Sequence, residues 1–192
     1  MRNWITCFLL SHGLGASIAF AAPTTWSKQL KSDPKILVSL SERNDPNLCK
    51  QHKDGEKVKY IELFGLDFPN LNFLRCFPAL EVLNINNGKV AALEGTAFSK
   101  NLKILILRNN GIQDATPLHE LEGLRELDLS YNHVNSFEGL DRLGSLEILD
   151  LSGNENDAEW SLNPPEKLRV LDLSFSRGPN LERENEGWNV YR

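Results

Sequence analysis

The sequence predicts an α/β solenoid: a right-handed horseshoe with a short parallel sheet on its concave face, a 3₁₀ or helical convex side and a helical N-terminal cap. Two observations carry this prediction. The segment "LRELDLSYNHV" from Leu124 recurs in steps of 22 residues, as "LKILILRNNGI" from Leu102, "LEVLNINNGKV" from Leu80 and "VKYIELFGLDF" from Val58, and onward as "LEILDLSGNEN" from Leu146 and "LRVLDLSFSRG" from Leu168. The first, fourth and sixth places are aliphatic in all six units, and no insertion interrupts the series. A fixed period in the twenties implies stacked copies of one strand, turn and return, because no single unit can bury its own apolar residues.

The elements follow in chain order. Residues 1–21 have one early Arg, an apolar stretch and Ala19-Phe20-Ala21, which reads as a signal peptide cut after Ala21. An uncleaved anchor is the alternative, although Ser11 and His12 break an already short span. Residues 22–57 form an N-terminal cap. Within it Asp33 is an N-cap, Pro34 stands at the first helical place, and Ile36, Leu37 and Leu40 make an apolar stripe, so a helix is expected from Pro34 to Arg43. Residues 58–167 hold five repeats, and 168–192 hold a sixth, degenerate repeat with a C-terminal cap.

Within each unit, places one, four and six point into the core from a strand, and the return carries its own apolar positions. Val134, Phe137, Leu140 and Leu143 recur every three residues, as do Phe68, Leu71, Leu74 and Phe77, a spacing that suits a 3₁₀ return more than a second strand. Asn110, Asn132 and Asn154 stand at place nine, where a buried amide can satisfy turn backbone. Leu66, Gly88 and Ser176 replace them elsewhere, so an asparagine ladder is expected only in the middle. At the distal end Asn156 and Gly178 break the aliphatic eleventh place, and Leu181, Trp188 and Tyr191 are expected to cover the last layer. A functional acidic tail is the competing reading.

This grammar resembles the leucine-rich repeat, in the 22-residue class of bacterial internalins and of regulatory subunits of protein phosphatases. The resemblance covers residues 58 to about 178 and implies a binding module, not a catalyst. A helical cap resembles internalins more than animal extracellular repeat proteins. The chain also contains no N-x-S/T acceptor, which favours a bacterial origin. No trailing immunoglobulin-like domain or cell-wall sorting motif is present, so a periplasmic or released protein is expected.

After cleavage only Cys49 and Cys76 remain, an even count in an oxidising route. A Cys49–Cys76 bridge would clamp the cap onto the first unit, a closure contributing roughly 3–4 kcal/mol before strain. Two free thiols or a metal pair are the alternatives. Removal of Arg2 leaves 20 basic against 26 acidic residues, net −6, a poor match for nucleic acid or anionic membrane surfaces. We expect a monomer that uses no cofactor and is not inserted in a membrane.

Catalysis finds little footing. His52, His119 and His133 lie in the cap, a return and a turn, away from Ser130, Ser152 and Ser174 at place seven. No Cys-His cluster or glycine-rich phosphate loop occurs, so catalytic and metal-ligating residues are expected to be absent. Asp128, Asp150 and Asp172 at place five would form a carboxylate row on adjacent strands, an alternative site for a divalent cation or acid-base chemistry. The plainer reading is a solvated row.

Places three, five and seven alternate outward with the buried leucines and pave the concave face. There the proximal half presents Tyr60, Phe64, Val82, Ile104 and Ile106, followed by Arg108. The distal half presents Glu126, Asp128, Asp150 and Asp172, with Tyr131 and Phe175 at place eight near the strand edge. Strand propensity accounts for part of the apolar content. Ile106 resists that account, because three other units place aspartate there. A protein partner bound through Tyr60, Phe64, Val82, Ile104, Ile106, Arg108, Asp128, Tyr131, Asp150 and Asp172 is therefore the expected function. An envelope-associated structural protein without a single partner is the alternative.

Overall fold

A computed structural model describes residues 55–65, 70–154, 161–176, 180–181 and 189–191. The signal segment, the helix expected from Pro34 to Arg43, Cys49 and Trp188 lie outside these residues. Nine strands are described: β1 (Tyr60–Phe64), β2 (Val82–Asn86), β3 (Ile104–Ile106), β4 (Glu126–Asp128), β5 (Ile148–Asp150), β6 (Ser161–Leu162), β7 (Val170–Asp172), β8 (Asn180–Leu181) and β9 (Asn189–Tyr191). Seven form one parallel sheet in the order β1-β2-β3-β4-β5-β7-β9. Its register repeats the 22-residue step, with Leu83 opposite Leu105, Leu105 opposite Leu127, Leu127 opposite Leu149 and Leu149 opposite Leu171.

The core lies between this sheet and the returns. Places one, four and six are buried in all six units, from Val58, Ile61 and Leu63 to Leu168, Leu171 and Leu173. The returns of the first four units are 3₁₀ turns, Asn72–Cys76, Thr96–Phe98, Thr116–Glu120 and Leu140–Arg142. Their three-residue period turns Leu71, Leu74 and Phe77, and likewise Val134, Phe137, Leu140 and Leu143, onto the core. Beyond them the return changes character. β6 and β8 pair as a second, two-stranded parallel sheet, in which Leu162 faces Leu181. The expectation of 3₁₀ returns therefore holds for four units and gives way to strand distally, where Pro164 and Pro165 stand in the return.

The asparagine ladder forms and runs one rung further than expected. Asn132 Nδ2 donates to the carbonyls of Leu107 (2.9 Å) and Leu129 (2.9 Å), while its Oδ1 accepts from Ile112 N. Asn110 and Asn154 repeat this, reaching Ile85 O and Leu129 O in the preceding units. Ser176 continues the series: its hydroxyl donates to Leu151 O at 2.8 Å and accepts from Asn154 N at 3.0 Å. A hydroxyl has both functions of the amide, so the shorter side chain suffices for this rung.

The two ends stand differently against expectation. Cys76 is disulfide-bonded; its pairing with Cys49 falls outside the described residues. At the far end the stretch expected to lie over the last layer instead supplies β9, which pairs with β7 so that Val190 faces Leu171. Leu181 and Val190 do pack against the core, but Tyr191 stands 41% exposed on the outward side. The step from Val170 to Asn189 is shorter than 22 residues, and without leucines to mark it this strand is not visible in the repeat pattern.

Candidate functional site: the concave sheet face

Outward positions align strand by strand, so side chains of like place form rows across the sheet. Place three runs Tyr60, Val82, Ile104, Glu126, Ile148, Val170, and place five runs Glu62, Asn84, Ile106, Asp128, Asp150, Asp172. Tyr60 is half-buried and donates its hydroxyl to Glu62 Oε2 at 3.0 Å; burial and the neighbouring carboxylate hold its phenol well above the usual range. Asn84 Nδ2 donates to the other Glu62 oxygen at 3.4 Å, and Asn86 Nδ2 donates to Asn84 Oδ1 at 2.7 Å. Phe64 pairs with Asn86 in the register. Ile104, Ile106, Arg108 and Asp128 are partly exposed.

Three residues expected to be accessible are not. Val82 and Asp172 are buried, and Asp150 is only 3% exposed. The cause is local. Each of these strands lies close between neighbours, and every place-five aspartate turns one oxygen back onto its own chain. Asp128 Oδ1 accepts from Ser130 N and Oγ at 2.8 and 2.6 Å, Asp150 Oδ1 from Ser152 N at 2.8 Å, and Asp172 Oδ1 from Ser174 N at 2.8 Å. The row is thus a set of turn-closing carboxylates, not a solvated stripe. Burial, then the charge of Asp128, push Asp150 up to about 6, against the pull of its Ser152 hydrogen bonds; Asp172 adds to the rise. Burial and Glu147 likewise raise Glu126. Among the described residues no group of three His, Cys, Asp or Glu is placed to hold a metal ion. His119 Nδ1 sits 2.6 Å from Thr116 O on a return, away from the serines of place seven.

Sequence reasoning missed the conformation of place eight. In all six units that residue has positive φ: Gly65, Asn87, Asn109, Tyr131, Gly153 and Phe175. The chain must leave the sheet there and turn inward, and its N–H still pairs with the next strand, as Asn109 N does with Ser130 O and Tyr131 N with Ser152 O. Glycine and asparagine accept this region readily, whereas bulky residues do not. The four Gly and Asn residues at a common place were the available signal. Tyr131 (44% exposed) and Phe175 (72% exposed) occupy it regardless, and with Tyr191 they are the exposed large hydrophobics among the described residues. Arg108 stacks over the Tyr131 ring, 4.5 Å from its centroid. Also missed was the opposite rim, where place two is charged in every unit, as Lys59, Glu81, Lys103, Arg125, Glu147 and Arg169; Glu81 pairs with Lys59 at 3.1 Å and Lys103 at 2.7 Å.

Residues 100–142 match the family model of leucine-rich repeats (2 copies). That match and six units in parallel register support a leucine-rich repeat protein. Such domains are typically protein-interaction modules and generally not enzymes. Among 52 solved chains that match is the leucine-rich repeat ectodomain of the receptor kinase SOBIR1 from Arabidopsis thaliana. It shares 25% identity over 59% of this chain and 65% of that one, with a TM-score of 0.47, so the match spans just under two thirds of the solved chain. No curated protein matches the chain.

Proposed function

We propose that the protein is an exported leucine-rich repeat module that captures a protein partner on its concave face, without cofactor and without chemistry of its own. The observation that carries this is Ile104 and Ile106. Both lie outward on β3 in the middle of the sheet, and both remain partly open to solvent. Adjacent units place Asn84 and Asp128 at the register positions of Ile106, so the strand itself does not require an aliphatic residue there. The A-x-A leader and the disulfide at Cys76 support export, and the Cys49–Cys76 pairing belongs to this proposal. No described helix is long and apolar enough to cross a membrane.

The test is the charge-neutral pair Ile104→Thr with Ile106→Asn, the second of which copies Asn84. Neither side chain belongs to the core, so the melting temperature should change little while capture of partner proteins from the native compartment is lost. If the variant retains the wild-type set of proteins, the concave face is not the docking surface. If wild type retains nothing specific, an envelope-associated structural role becomes the better reading.

A further inference from the structure

Arg108 is the only Lys or Arg at places three, five and seven of the six units. Three consecutive units build its surroundings. Its guanidinium lies over the ring of Tyr131, 4.5 Å from the centroid. Tyr131 is held at φ 55°, a backbone region that a bulky side chain avoids and that glycine or asparagine fills in four of the other units. Gly153 completes the arrangement: a Cβ at that residue would lie 3.0 Å from Tyr131 Cδ1, so the ring rests against bare glycine backbone. An outlier of this kind, maintained on a solvent-facing rim, is a pointer to function.

What the stack presents is a guanidinium without a counter-ion. Among the described residues its side chain makes no hydrogen bond or ion pair, although acids stand nearby. Asp128 is already committed to Ser130 through the same oxygen twice. A fork of donors therefore stands at the border between the apolar half of the face and the acidic half.

Resting on the concave-face reading above, we propose that Arg108, preorganised by Tyr131 and Gly153, is the docking point for one Asp or Glu side chain of the protein partner. Charge complementarity selects this occupant. A guanidinium matches a carboxylate in two parallel hydrogen bonds. The rest of the face carries Glu62, Glu126, Asp128, Asp150 and Asp172, so a broadly acidic partner is repelled and a single, aligned carboxylate is accepted.

Random peptides of about a dozen residues, displayed and selected on the full chain, provide the probe. Each selected peptide is then resynthesised with its acidic residue changed to the amide. Wild type should bind the acid form about tenfold or more tightly than the amide form, since charge-assisted bonds are the stronger ones. Arg108→Gln should keep its melting temperature and bind both forms alike, and Tyr131→Leu should lose part of the discrimination. A selection that yields nothing, or only peptides without Asp or Glu, overturns the proposal. So does undiminished discrimination by Arg108→Gln. If that result comes with binding lost in Ile104→Thr/Ile106→Asn, the concave reading survives and only the role of Arg108 fails; if the double variant binds normally, both fail.

Discussion

The proximal and distal halves of this solenoid obey one repeat rule and use it differently. From β1 to β3 place five reads Glu, Asn, Ile, place eight reads Gly, Asn, Asn, and the returns are 3₁₀ turns. From β4 onward place five is aspartate clamped to a serine and place eight admits Tyr131 and Phe175, and after β5 the returns form a second small sheet. Core positions hardly differ between the halves. The contrast lies outside the buried leucine positions, in the residues that face outward or close the turns, and it teaches that the repeat rule leaves those places open.

The largest expected effect probes how far the shared scaffold extends. Asn132 makes four hydrogen bonds to buried backbone, so Asn132→Ala leaves several groups without partners and should cost about 3 kcal/mol in denaturant unfolding. Ser176→Ala removes two bonds from a less buried rung and should cost about 1 kcal/mol. Equal losses would mean that the ladder is as strong at its end as in its middle.

A comparable effect should appear with pH, and only from the distal half. Asp150, pushed up to about 6, holds its proton more tightly folded than unfolded. Its burial therefore destabilises the fold at neutral pH, and stability should rise as pH falls from 7 toward 4, by up to about 3 kcal/mol. Glu126 acts in the same direction. The proximal Glu81 opposes them, since its hydrogen bond to Lys103 lowers it and its contribution is lost as pH falls through its folded value. A stability maximum on the acid side, near pH 4 to 5, is the outcome expected in thermal melts. Asp150→Asn should raise stability at pH 7 and flatten the profile; a maximum that stays at neutral pH in wild type contradicts the account.

Glycines at the same place separate the halves more finely. Gly65 and Gly153 have φ of 67° and 65°, but a Cβ at Gly65 meets nothing within 4 Å, whereas one at Gly153 meets the Tyr131 ring. Gly65→Ala should cost about 1 kcal/mol from backbone alone. Gly153→Ala should cost about 2 kcal/mol, because the ring must also move. In the Tyr131→Gly background the two should become equal.

The smallest effect has the opposite sign. Phe175 is mostly exposed at φ 56°, so Phe175→Gly relieves strain and should raise stability by about 1 kcal/mol. A loss of stability would show that the ring packs usefully in the free protein.

Much of this was legible beforehand, for reasons particular residues make plain. Leu83, Leu105, Leu127, Leu149 and Leu171 occupy one place because every unit must bury the same position, and that constraint is written directly into the sequence. Asn110, Asn132 and Asn154 were legible for the same reason. The burial of Asp150 was not, because alternation assigns a side chain to a face without saying how closely its neighbours crowd it. β9 escaped notice because Val190 alone marks its core side, and one valine carries no period. Place eight could have been read from Gly65, Asn87, Asn109 and Gly153; Tyr131 and Phe175 concealed it. The border formed by Arg108, Tyr131 and Gly153 depends on contacts across three units, which no pattern within a unit displays.

Hydroxyl-radical footprinting of the full chain, with and without its captured protein partner, tests the central claim most directly. Tyr131 on the concave rim and His119 on the convex return are both accessible in the free protein and both reactive. Docking on the concave face predicts that oxidation of Tyr131 falls sharply in the complex while His119 is oxidised as before. Protection of His119 with Tyr131 unchanged would place the partner on the convex side and contradict the account.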